Sequence, residues 1–152
     1  MCTSSGLMGS SPISPSGFRR RLARVLVIDD EHLVGVALSR VLYRENEVVT
    51  VTDPTEALAR LNAGERFDVV LCDLRMPVMD GIEFHRQLSV TLPEEAARIV
   101  FITGGPLSAR AEAFFRSAQN LLMSKPLDVD GVRQLIERRY RATAPAKASG
   151  QT

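Results

Sequence analysis

The sequence predicts an α/β fold: five parallel strands in one sheet, with helices packed on both faces. Three observations carry that prediction. Short β-branched apolar runs alternate with helical patterns along the chain, and strict alternation of this kind gives a parallel sheet between helical layers. The runs are apolar throughout rather than every second residue, as expected where both faces of a strand are covered. Several of them end abruptly on a polar or charged residue, and the carboxyl ends of strands are where open α/β sheets place their sites.

The strand runs in order are 24–29 (RVLVID), 47–51 (EVVTV), 67–73 (FDVVLCD), 98–103 (RIVFIT) and the weaker 120–124 (NLLMS). Between them lie five helical patterns. Leu33, Val34, Ala37, Leu38, Val41 and Leu42 keep an i, i+3, i+4 stripe. Ala57, Leu58 and Leu61 do the same, with Asp53 as cap, Pro54 as first helical residue and Glu56 as capping-box partner. Ile82, Phe84, His85 and Leu88 mark the third helix, and Ala111, Phe114 and Phe115 the fourth. Val132, Leu135 and Ile136 mark the fifth, with Asp128 as its N-cap.

Composition bounds the rest. The 152 residues suit one domain, and no apolar run is long enough for a membrane span. The opening MCTSSGLMGSSPISPSG is rich in Ser, Gly and Pro, with too few apolar residues to repay ordering. The close, ATAPAKASGQT, is small and polar. The expected organisation is a disordered linker over 1–23, a domain over 24–141 and a disordered tail over 142–152. Residues 1–24 carry Arg19, Arg20, Arg21 and Arg24 without an acid, a net +4, and FRRRLAR reads as a solvated basic linker. Residues 25–141 carry 14 basic and 18 acidic side chains, a net −4. Cys2 and Cys72 form no disulfide framework, and the N-terminus lacks a secretory apolar core. The expected compartment is the reducing cytoplasm.

The strand ends supply the chemistry. Asp29 and Asp30 close the first run, with Glu31 next; Asp73 closes the third, Thr103 the fourth, and Lys125-Pro126 follows the fifth. Taken singly, each has an ordinary role as a turn, strand or surface residue. Together, in one topology, they converge on one pocket. Three carboxylates in such a pocket repel one another and resist ionisation. A hard divalent cation removes the conflict, and Mg²⁺ takes oxygen ligands of this kind beside phosphate. A lysine and a hydroxyl facing the carboxylates suit a phosphoryl group. Asp73 is then the candidate nucleophile, since carboxylates form acyl phosphates.

The segments VLVIDDE, VVLCDLRMPVMDG, FITGG and SKPL together resemble the receiver domain of two-component response regulators, over nearly all of residues 24–141. The resemblance implies a flavodoxin-like sheet of order 2-1-3-4-5. It implies that Asp73 takes a phosphoryl group from a phosphohistidine on a sensor histidine kinase or histidine phosphotransfer domain. It implies that Asp30, Asp73 and the Arg75 backbone carbonyl ligate Mg²⁺, that Asp29 binds the metal directly or in its outer shell, and that Thr103 and Lys125 hold phosphoryl oxygens. It implies a signalling phosphoacceptor rather than an enzyme, with no direct nucleic-acid binding, and a cis Lys125–Pro126 bond. Pro77 and Gly81 shape the turn after the third strand. Met76 and Met79 are packing residues and Cys72 is buried and inert. Neither His32 nor His85 sits where a phosphoryl donor would.

Two departures from the family stand out. Leu122 occupies the position three before the lysine where many receivers carry Tyr or Phe, and Leu127 follows Lys-Pro where many carry Phe. Phosphorylation is therefore expected to act mainly through the loop containing RMPVMDG and through Gly104-Gly105. Two other readings compete. A degenerate receiver serving only as a binding module conflicts with the full set of acceptor residues. An aspartate-nucleophile phosphatase of the haloacid-dehalogenase kind needs an Asp two residues after the nucleophile, where this chain has Arg75. The chain also resembles receivers at the C-terminal end of hybrid histidine kinases, and equally a single-domain regulator.

Overall fold

The computed structural model describes residues 22–143. Its elements in chain order are β1 (Ala23–Ile28), α1 (His32–Leu42), β2 (Asn46–Val51), α2 (Pro54–Asn62), β3 (Val69–Asp73), α3 (Gly81–Thr91), α4 (Pro93–Ala97), β4 (Val100–Thr103), α5 (Ala109–Ser117), β5 (Leu122–Ser124) and α6 (Val129–Thr143). The five strands form one parallel sheet in the order β2-β1-β3-β4-β5. Fold class and order are as the sequence predicts. The segments read as linker and tail lie, but for their innermost residues, outside those described.

Side chains alternate across each strand, so each strand feeds two cores. Leu26, Ile28, Val70, Cys72 and Phe101 face one side, where Ala57 and Leu61 of α2, Phe84 and Leu88 of α3 and Ala96 of α4 meet them. Val25, Val27, Val69, Leu71, Val100 and Ile102 face the other, against Leu38 and Leu42 of α1 and Val132, Leu135 and Ile136 of α6. Full burial of one such aliphatic side chain contributes about 1.5–3 kcal/mol. Two rows of them therefore fix the register that the site depends on. Met76 and Met79 join the first core, and Cys72 is fully buried in it, its thiol pushed up by burial and then by the Asp73 charge. His85 packs edge-on against Phe114 and near Phe101, and burial pushes its pKa down.

Four details differ from the sequence reading. The described residues hold six helices, the additional one being α4, a five-residue turn opened by Pro93 and too short to show a period. The buried row of α1 is Gly35, Leu38 and Leu42, while Leu33 is 76% exposed and Val41 lies at the surface. The cause is the close approach of α1 to edge strand β2: a Cβ on Gly35 would lie 2.9 Å from Thr50 Cγ2. Asp53 does cap α2, but its carboxylate accepts from the Thr55 N–H and hydroxyl, and Glu56 pairs with Arg60 instead of closing a capping box. Arg24, counted both in the basic FRRRLAR segment and at the start of the first strand run, belongs to the strand: it sits in β1, bridges Glu47 and Glu65 and stacks over Phe67 at 4.6 Å.

Asp128 directly precedes α6, as expected. The Lys125–Pro126 bond is cis, also as expected. Among the described residues no helix is long and apolar enough to cross a membrane.

Candidate functional site at the carboxyl edge of the sheet

Sheet register brings the site together. Ile28 pairs with Cys72, Asp73 with Ile102, and Thr103 with Ser124. The residues that end or follow these strands therefore form one row along the sheet edge. Asp73 continues the alternate row of Val69 and Leu71, and by count Asp29 continues that of Val25 and Val27. Both carboxylates thus emerge on the same side and are buried, 3% and 5% exposed. Asp30 points into the exposed mouth. One oxygen from each of Asp29, Asp30 and Asp73 lies within 4.8 Å of the others.

Lys125 enters from beyond β5, held by its own N–H donating to the Thr103 carbonyl at 2.8 Å. Its Nζ lies 3.2 Å from Asp29 Oδ2, 3.6 Å from Glu31 Oε1 and 3.7 Å from Asp73 Oδ2. Burial works to lower the lysine pKa, but Asp29, Asp73 and Glu31 together hold it above its ordinary value. The lysine is a fixed positive charge.

One ammonium does not neutralise three carboxylates. Burial, and after it the Asp29 charge, pushes the Asp73 carboxyl up to about 6, against the opposing pull of Lys125. Asp29 Oδ1 accepts the Glu31 N–H at 2.9 Å. Asp29 Oδ2 is buried without a hydrogen bond, its contact with Lys125 being an ion pair of poor hydrogen-bond alignment. A buried, under-coordinated carboxylate oxygen beside two further carboxylates is a donor set for a hard cation. The cluster could hold a metal ion.

The flanking loops come from β3 and β4. The Arg75 N–H lies 3.4 Å from Asp73 Oδ1, and its guanidinium donates to the Pro106 carbonyl at 3.1 Å. Thr103 is buried and its hydroxyl donates to the Gly105 carbonyl at 2.9 Å. The acidic cluster and Lys125 thus come together, with Thr103 one strand away and its hydroxyl committed to the loop. A Cβ on Gly104 would meet only Lys125 Cδ, at 3.6 Å, so close packing does not require a glycine there.

Sequence reasoning missed Asp80 and Arg110. Asp80 caps α3 through the Glu83 N–H and pairs with Arg110 of α5 at 2.7 Å. The cap was legible, because Asp80-Gly-Ile-Glu83 carries the Asp-x-x-Glu pattern. The ion pair to Arg110 has no signal in the sequence. Between the two loops lies a cleft of about 560 Å³, lined among others by Arg75, Asp80, Thr103, Pro106 and Arg110.

The family profile described as the response regulator receiver domain matches residues 25–137. The chain is 28% identical over 117 residues to a sporulation initiation phosphotransferase F of Bacillus subtilis, covering 76% of this chain and 91% of that one. It is 29% identical over 125 residues to a hybrid signal transduction histidine kinase L of Dictyostelium discoideum, covering 77% of this chain but only 7% of the kinase. It spans 34% or less of several other curated relatives. Among solved structures, it resembles a response regulator receiver domain protein from Clostridium thermocellum, with a TM-score of 0.69 and 26% identity over 80% of this chain and 96% of that one.

Proposed function

Because this chain belongs to the response regulator receiver domain family of two-component signalling, we propose that Asp73 accepts a phosphoryl group from a phosphohistidine of a sensor kinase or histidine phosphotransfer domain. The observation that carries the proposal is the convergence on Asp73 of two further carboxylates and the Lys125 ammonium, all at one sheet edge. An Asp73 oxygen attacks phosphorus, the P–N bond breaks, and its electron pair returns to the imidazole nitrogen. Lys125 stays charged throughout and moves its interaction from Asp73 toward the phosphoryl oxygens. The Thr103 hydroxyl exchanges the Gly105 carbonyl for a phosphoryl oxygen.

Asp29, Asp30, Asp73 and the Arg75 backbone carbonyl would hold Mg²⁺. The ion, when bound, offsets the crowded carboxylate charge and neutralises charge on the transferring group. The protein is a phosphoacceptor in this reading, with at most self-phosphorylation and self-dephosphorylation, and it acts in the cytoplasm.

Incubation with acetyl phosphate and Mg²⁺ followed by intact mass measurement tests the reading. One acid-labile phosphoryl adduct per chain is expected. Continued turnover of phosphate esters would indicate a phosphatase, and no reaction a binding module; either outcome overturns the proposal.

Metal binding has its own test. A ligand held only by the folded state at about 100 times its dissociation constant stabilises by about 2.7 kcal/mol. Mg²⁺ is expected to raise the melting temperature of the parent. Asp30 is exposed, so Asp30→Ala leaves the core intact and should lose most of that gain. Equal stabilisation of parent and variant would remove Asp30 from the ligand set.

The adduct is expected to be long-lived. The family resemblance places the residues two beyond the acceptor and two beyond the threonine beside the path of an attacking water; here they are Arg75 and Gly105, and neither offers a carboxylate or amide to orient it. Replacing both, Arg75→Asn with Gly105→Glu, should shorten the half-life of the adduct in a radiolabel chase. An unchanged or longer half-life counts against this account.

A further inference from the structure

Among the described residues, one hydrogen bond ties the segment after β3 to the middle of the loop after β4. The Arg75 guanidinium donates to the Pro106 carbonyl at 3.1 Å. That loop, residues 104–108, runs from the end of β4 to Ser108, whose hydroxyl caps α5 by accepting the Ala111 N–H at 3.1 Å. Both ends of the segment are anchored. Thr103 is paired in the sheet, and Arg110 in the first turn of α5 is held to Asp80 at 2.7 Å. The middle rests on two contacts besides its anchors, the Thr103 hydroxyl donating to the Gly105 carbonyl at 2.9 Å and Arg75 to the Pro106 carbonyl. Gly104 and Gly105 are exposed, and a Cβ on Gly105 would come no closer than 4.0 Å to anything but its chain neighbours, the nearest atom being Arg75 Nη2. Two glycines without packing constraints leave the loop free to change path.

Arg75 is exposed, and its backbone N–H already lies 3.4 Å from Asp73 Oδ1. Its side chain therefore springs from beside the acceptor and has both the Pro106 carbonyl and the space over Asp73 within reach. The two destinations differ in kind. The carbonyl is one neutral acceptor. A phosphoryl group on Asp73 is an anion with three oxygens, matched to the planar fork of a guanidinium. Both bonds have a charged donor, but only the phosphoryl group offers it a charged, bidentate acceptor, the stronger pairing.

We infer that Arg75 is a phosphorylation-dependent latch: it holds the 104–108 loop by the Pro106 carbonyl, and leaves that carbonyl for the phosphoryl oxygens once Asp73 is modified. The inference rests on Asp73 being the acceptor. A signal can shift an equilibrium only through a differential interaction with its two states, and Arg75 supplies one that Leu122, a small apolar side chain on the short edge strand, does not. Release of Pro106 loosens the loop between its two anchors and changes the wall of the cleft beside α5. That wall is the surface a partner would read.

Amide hydrogen exchange over residues 107–112 of the full chain, with and without the beryllofluoride adduct, tests the latch. Beryllofluoride should speed exchange there roughly fivefold in the parent, the factor by which losing one ordinary hydrogen bond shifts a local opening. Arg75→Ala should already exchange faster than the parent when unmodified and should show a smaller change on adding beryllofluoride, the part left by release of Gly105 from the Thr103 hydroxyl. Arg75→Lys keeps a cation able to contact both acceptors and should restore part of the parental change. If the parent and Arg75→Ala respond alike, or if unmodified Arg75→Ala exchanges as slowly as the parent, the latch is wrong. Acetyl phosphate labelling separates this from failure of the underlying reading. A parent that labels normally but shows no Arg75 dependence overturns the latch alone, whereas a parent that does not label overturns both.

Discussion

Asp73→Asn is expected to yield no acid-labile adduct with acetyl phosphate and Mg²⁺, and to melt at a higher temperature than the parent in the absence of the metal. The first result follows from replacing the nucleophilic carboxylate by an amide. The second follows from what the folded site does to that carboxylate. Burial and the neighbouring Asp29 raise its pKa from the ordinary 3.8 to about 6, although Lys125 pulls the other way. The folded state thus binds this proton more tightly than the unfolded chain does. Stability linked to Asp73 is highest below about pH 4, declines as pH rises toward 6 and is fully lost above that.

At neutral pH the ionised Asp73 is therefore a cost, and an isosteric neutral amide removes it. The full shift corresponds to about 3 kcal/mol. That shift already includes the opposing pull of Lys125, and solvent and counter-ions screen part of it, so a gain on the order of 1–2 kcal/mol is expected. Thermal melts of parent and variant at pH 7.5 and pH 4.5, with the metal chelated, separate the terms, because the gain should shrink at the lower pH. A variant that is less stable at both values would show that Asp73 is not a strained carboxylate, and one that still labels fully would show that it is not the acceptor. On the proposed reading, a bound cation would relieve the charge conflict that folding leaves in place.

Much of this site could be read from the sequence because each principal side chain directly follows an apolar run. Asp29, Asp73, Thr103 and Lys125 are fixed by strand ends, and strand ends are set by the switch from continuous apolar residues to polar ones. Position along the chain then translates into position along the sheet edge. What the sequence did not disclose depends on how separate loops fold toward each other. The Arg75–Pro106 and Asp80–Arg110 contacts each span roughly 30 residues and join surface side chains with no hydrophobic period to betray them. The misplaced stripe of α1 has a similar origin. Leu33 and Val41 satisfy the helical period, but the face that packs is chosen by Gly35 lying on Thr50 of β2, and a contact between two elements is invisible to the period of one. α4 was missed because five residues cannot display a repeat of 3.6.

Among the described glycines, Gly81→Ala is expected to be the most damaging single-methyl addition, although alanine is the better helix former. Gly81 opens α3 and donates its N–H to the Leu74 carbonyl at 3.0 Å. A Cβ there would lie 2.7 Å from the Asp73 carbonyl oxygen, 3.1 Å from Leu74 Cα and 3.2 Å from a Phe101 ring carbon. A ring edge can shift by a few tenths of an ångström, but the two backbone atoms lie at and just past the end of β3 and move Asp73 with them. The methyl must push α3 off the sheet or displace Asp73 from Asp29 and Lys125. Overpacking of this kind costs about 1–3 kcal/mol, against a propensity gain of at most about 1 kcal/mol in a helix interior and less at its first residue. Two other glycines act as controls. Gly64 has a φ of +109° with nothing within 4 Å of an added Cβ, so alanine there meets backbone strain alone. Gly104 has ordinary φ and an ordinary 3.6 Å contact, so alanine should be nearly neutral for stability. Denaturant midpoints should therefore fall in the order Gly104→Ala, Gly64→Ala, Gly81→Ala, and only the last should also slow labelling of Asp73. If Gly81→Ala is as stable as Gly104→Ala and labels at the parental rate, the tight seating of α3 against the acceptor strand does not position the phosphoryl site.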